Sequence, residues 1–175
     1  MQKAGTKALW DFAVSVYGSE DVSSACVVLQ DLHGADVNVL LFAAWAGAEC
    51  RQHLSMAQIE VIDQAISEWR VQIVRPLRAI RRQLKTGPWP APEASGEAFR
   101  NKTKAVELQA ERLQLESMEG LLPPLSQHVQ DSTDPILSNL RAVFAYYAGA
   151  DADEQSLVLL NPIWAAAARL AVSSV

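Results

Sequence analysis

Two cysteines, three histidines and eight glycines in 175 residues remove several kinds of chemistry at the outset. Cys26 and Cys50 form no close pair, and with no export signal before them they are expected to be reduced and buried rather than bridged. His33, His53 and His128 make no ligand pair at helical spacing. Glu49, Cys50 and His53 fall within about one turn, but a second close cysteine or histidine is missing, so no metal is expected. No glycine-rich phosphate loop precedes a helix, and none of Ser15, Ser24, Ser55 or Ser67 sits in a Gly-flanked elbow; neither a nucleotide cofactor nor a serine nucleophile is indicated. Long apolar runs are lacking too. Val37–Ala48 is too short to cross a bilayer, 164–175 is shorter than a span and contains Arg169, and the stretch after Lys3 and Lys7 is broken by Asp11 without a cleavage pattern. These readings predict a cytoplasmic protein with no membrane partner.

What is present is helical. Half the residues are apolar and 20% are charged, ordinary for one domain over 1–175 with a real core. Strand alternation is nearly absent and helix punctuation is frequent. Trp10, Ala13, Val14 and Tyr17 recur at helical spacing over 7–17, which Gly18 would end in a left-handed turn. Asp21 is placed to cap a helix over 22–32 ended by Gly34, and Asp36 to cap Val37–Ala48. The short 33–35 connection predicts that these two pack antiparallel as a central hairpin. Three prolines mark 86–96 as a linker, within which Trp89 is expected to tuck back onto the bundle. A polar helix over 97–119 follows, with Phe99, Val106, Ala110, Leu113 and Met118 as its thin apolar face, ending at Gly120. Pro123 and Pro124 break the chain, and Asp134-Pro135 and Asn161-Pro162 each match the start of a later helix.

The clearest element begins at Ser55, which with Gln58 makes a capping box. Ile59, Ile62, Ile66, Trp69, Ile73, Leu77, Ile80 and Leu84 then recur at gaps of three or four. One amphipathic rod over 56–85, kinked at Pro76, is expected to lie along the hairpin and dominate the core. Trp10, Trp45 and Trp69 are assigned to that core. The fold class is all-α, a single compact bundle of about six or seven helices.

The far end of the rod carries the strongest functional signal. Between 70 and 85 there are six cations and no acid, and the formal charge of −5 includes those six, so the remainder carries −11. Arg75, Arg78, Arg82 and Lys85 fall within roughly 80° on a helix, with Arg81 beside them. Three readings compete: a solvated face partly neutralised by acids of the polar helix (Glu107, Glu111, Glu116 and Glu119); docking onto an acidic protein partner; and nucleic-acid contact, against which an isoelectric point near 5.2 weighs. A second constellation, Gln30, Asp31, His33, Asp36 and Asn38, surrounds the first hairpin turn. Asp31, His33 and Asp36 are the candidate catalytic residues if the protein is a small enzyme, because a buried carboxylate beside an imidazole can move protons near neutral pH. Their structural alternative is to satisfy helix ends. On balance the residues point to a non-enzymatic interaction module, with a small enzyme or an RNA- or ribosome-associated factor as alternatives.

The runs LWDFA at 9–13, ACVVLQD at 25–31, GADVNVLLF at 34–42 and VRPLRAIRRQLK at 74–85 occur in that order. Together they resemble a small proteobacterial family of uncharacterised proteins catalogued only as a domain of unknown function. The resemblance covers about 7–120 and implies a bacterial, cytoplasmic, helical protein; it transfers no catalytic residue, and it leaves 121–175 unmatched.

Overall fold

An apolar helix with no polar face belongs in the middle of a bundle, and α3 (Val37–Ala48) is there, with every residue from Val39 to Ala48 buried. Its start is fixed as the sequence predicts: Asp36 Oδ1 accepts from the backbone N–H groups of Asn38 (2.8 Å) and Val39 (3.2 Å). The computed structural model describes residues 8–87, 90, 92–122 and 134–173. Their order is α1 (Leu9–Tyr17), α2 (Val22–His33), α3, α4 (Met56–Trp69), a π-helical turn (Arg70–Val74), α5 (Arg75–Thr86), α6 (Glu93–Glu119), α7 (Pro135–Ala148) and α8 (Glu154–Ser173). The chain is an all-α bundle, and with 56–86 counted as one rod it has seven helices among the described residues.

α7 lies across α3, and α1, α8 and α6 pack around the same helix. The α3–α7 crossing depends on Gly47. A Cβ there would stand 2.7 Å from the Cα of Ile136, so the two backbones meet where a side chain would otherwise be. Asn139 adds a polar pin beside it: its Oδ1 accepts from the Leu54 N–H (2.8 Å), while its Nδ2 donates to the carbonyls of Ala43 (3.1 Å) and Gln52 (2.8 Å).

Several expectations change. α2 packs on α8, α1 and α7 rather than along α3, so the central hairpin is not formed; Gly34, in a left-handed turn at φ 68°, and the extended Asp36 redirect the chain. Asp21 itself sits at φ 63° and caps with its backbone carbonyl, not its side chain. Gly18 ends α1 in a right-handed conformation. The capping box at Ser55 and Gln58 is present, as is the Asp134 cap of α7. α8, however, starts at Asp153, whose Oδ1 accepts from the Ser156 N–H (2.8 Å) and hydroxyl (2.6 Å), and it runs straight through Pro162. The residue four positions earlier, Val158, is largely exposed, so the carbonyl that proline leaves unbonded lies on a wet side of the helix. At this length α8 is apolar enough to cross a bilayer, yet Leu160, Ile163, Ala166 and Ala167 are buried in the bundle core.

The rod is continuous across Pro76, as its stripe predicts, but its irregularity is the π turn just before the proline, where the Arg75 N–H reaches back to the Arg70 carbonyl. It does not dominate the core. Ile59, Ile62 and Ile66 of α4 are buried, whereas α5 buries no residue fully and Ile80 is 44% exposed. Trp45 is a core residue; Trp69 is 39% exposed and donates its Nε1–H to the Ala110 carbonyl (3.0 Å). The α6 face is only partly the expected one: of its five apolar residues, Ala110 and Met118 are buried as expected and the other three are not. Phe99, Val106 and Leu113 are exposed, and Thr103, Glu107, Ala110, Gln114 and Met118 face the bundle. Trp89, Pro123, Pro124 and His128 lie outside the described residues.

Candidate functional site

The inward turn of Glu107 on α6 explains where two of the cations go. Arg78 lies between three elements: its Nε donates to Glu107 (3.2 Å), its Nη2 to Glu111 (2.5 Å) and its Nη1 to Gln30 on α2 (2.5 Å). Arg81 pairs with Glu107 through both Nε and Nη2. Burial would lower the Arg78 pKa and the two carboxylates reverse that, so it stays charged above its ordinary value. Glu111 is pushed up by burial, and the nearby Arg78 cancels only part of that rise.

Arg70 belongs to a different network. Its Nη1 donates to Asp63 (2.5 Å), Asp36 (3.3 Å) and the Tyr147 hydroxyl (3.4 Å), while the Tyr146 and Tyr147 hydroxyls donate to the same Asp63 carboxylate. Burial alone would raise the Asp63 pKa; the bonds from Arg70 and Tyr147 outweigh it and hold the carboxyl below its ordinary value. Asp36 thus has two structural duties, capping α3 and holding Arg70.

The candidate catalytic trio is not assembled. His33 sets its ring edge-on to Phe144, centroids 4.8 Å apart, Asp36 faces Arg70, and Asp31 is exposed. Asp31 and Asp36 border one cleft, whereas His33 turns away to α7. Cys26 is buried, its thiol pushed up to about 12 by loss of solvent, and Cys50 is half-buried with its thiol raised to about 11, so neither is a ready nucleophile. Among the described residues no three His, Cys, Asp or Glu side chains converge as a metal site.

One concave feature does gather functional side chains. α1 and α5 both pack on α6, and between them opens a cleft of about 1000 Å³. Its cations are Arg70, Arg75, Arg78, Arg81, Arg82 and Lys104; its acids are Asp31, Asp36, Glu107 and Glu111. Arg78 and Arg81 are therefore not free for a partner, because α6 supplies their counter-ions from the same molecule. Arg75, Arg82 and Lys104 are exposed and have no ion-pair partner among the described residues. Lys85 is exposed but stands outside the cleft. The apolar part comes from α1, α2 and α6: Trp10, Val14, Tyr17, Val27 and Leu108 line the cleft, and all but Trp10 are at least 40% exposed. The α1 residues expected to face the core thus split, with Ala13 buried and Val14 and Tyr17 turned into the cleft. Lys104 gives no separate signal in the sequence, because it shares a helix of mixed charge with Arg100, Lys102 and Arg112.

Residues 8–118 match the family described as "Protein of unknown function (DUF2390)". The chain belongs to the DUF2390 family. The match takes in α1 to α5 and nearly all of α6, and so every residue of the cleft. No curated protein and no solved structure matches this DUF2390 chain.

Proposed function

We propose that this DUF2390 protein is a non-enzymatic, cytoplasmic interaction module whose cleft docks an acidic segment of a partner protein. The observation that carries the reading is the division of the basic cluster. Arg78 and Arg81 are neutralised by Glu107 and Glu111, while Arg75, Arg82 and Lys104 border the same cleft without a counter-ion among the described residues. A rim of unpaired cations next to exposed apolar side chains raises the encounter rate with an acidic chain and gives it something to pack on. The enzyme alternative has less support, since His33 sets its ring against Phe144. An RNA-binding role has less support: the chain carries a formal charge of −5, and only Arg75, Arg82 and Lys104 border the cleft without a counter-ion among the described residues, few for a run of phosphates.

The test is fluorescence anisotropy with a labelled acidic peptide at 50 and 200 mM salt. Arg75→Glu with Arg82→Glu should weaken binding at least tenfold and flatten the salt dependence, with an unchanged melting temperature. Equal binding by the parent and the doubly reversed protein contradicts docking in the cleft.

A further inference from the structure

We infer further, on the basis of that docking site, that the occupant is an amphipathic acidic helix of about two turns rather than an extended acidic strand. Arg75 and Arg82 are seven residues apart on α5, so they stand about 10.5 Å apart along the axis and within about 20° of each other around it. Arg78, between them, is turned aside into Glu107 and Glu111. Two free cations at a seven-residue interval present the repeat that matches carboxylates at i and i+7 of a facing helix.

The other side of the cleft has the same period. Trp10, Val14 and Tyr17 fall at i, i+4 and i+7 of α1 and line the cleft over the same length of about 10.5 Å. That is a ridge of the kind an apolar helix stripe packs against. The cleft, about 1000 Å³, has room for side chains of a docked segment between the two rows. In an extended chain, residues about 10 Å apart are three positions apart and point to opposite faces, so one side could not offer acids to both Arg75 and Arg82. The facing helix therefore carries its acids toward α5 and Lys104, and its apolar stripe toward α1 and Leu108.

Three 14-residue peptides, two of one composition and a third differing by one residue, test this against the full chain. The first segregates acids at i and i+7 from an apolar stripe, the second carries the same residues in scrambled order, and the third is the first with a central proline. Anisotropy reads affinity and circular dichroism reads the helix gained on binding, with a single-stranded RNA 12-mer as a further ligand. The segregated peptide should bind at least tenfold more tightly than the other two and gain helicity, and Arg75→Glu with Arg82→Glu should remove the difference. Lys104→Glu, on a separate helix, should weaken it independently. If all three peptides bind alike and depend on Arg75 and Arg82, the helix inference fails while the docking reading stands. If none binds, or if RNA binds more tightly than every peptide, both fail.

Discussion

Arg78 donates from Nη2 to Oε1 of Glu111 at 2.5 Å, so the middle turn of the α5 stripe already holds a carboxylate from its own molecule. If the cleft docks an acidic segment, Glu111 competes with it for Nη2 of Arg78, and Glu111→Gln should tighten binding of an acidic peptide several-fold even though Nε and Nη1 stay bonded to Glu107 and Gln30. Because burial raises the Glu111 pKa, the parent should bind more tightly as pH falls from 7 toward 5, and the variant should lack that component. Titrations of both proteins at the two pH values check this.

Asp63 gives a stability prediction with a definite sign. Its pKa is lowered in the folded state, so the contribution is complete above the unfolded value near 3.9 and is lost as pH falls below it. Asp63→Ala leaves a half-buried Arg70 with only Asp36 as counter-ion and should cost about 3 kcal/mol at pH 7. Urea melts at pH 7 and pH 3.5 should show the parent losing more stability than the variant between them.

Gly47→Ala places a methyl group against the Ile136 backbone, which cannot rotate away. Separating α3 from α7 should cost about 2 kcal/mol or more, and the melting temperature should fall accordingly. An unchanged melting curve would mean that the crossing has slack the close approach does not suggest.

Gln114 is 2% exposed, and neither end of its amide has a hydrogen-bond partner among the described residues. Gln114→Leu keeps the volume and removes the unmet polar group, so it should stabilise the protein by about 1 kcal/mol or more. Destabilisation measured by urea unfolding would show that the amide has a partner after all.

Elements whose signals are local were legible in the sequence. The Asp36 cap, the Ser55–Gln58 box and the unbroken apolar run of α3 each act within a few residues and appear where expected. What failed depended on neighbours. Pro162 reads as a helix start, but a proline inside a helix is tolerated where the freed carbonyl meets solvent, and that depends on which side of α8 the bundle covers. The α6 face was chosen by counting apolar residues, whereas α5 brings arginines to it, so Glu107 and Gln114 turn inward and Phe99 outward. The basic run is plain in the sequence, but which of its cations are paired does not follow from α5 alone, because Glu107 and Glu111 are 26 to 33 residues further along the chain. Asn139 left no signal at all, since its three partners come from 85 to 96 residues away.

The cleft as a binding site is tested most directly by amide chemical shifts of the isotopically labelled protein during titration with the segregated acidic peptide. Shifts should concentrate at 10–17 of α1, 75–82 of α5 and 104–111 of α6, and saturate together at a single affinity. Changes confined to Lys85 and the outer surface, or spread thinly over the whole bundle, would contradict docking in the cleft.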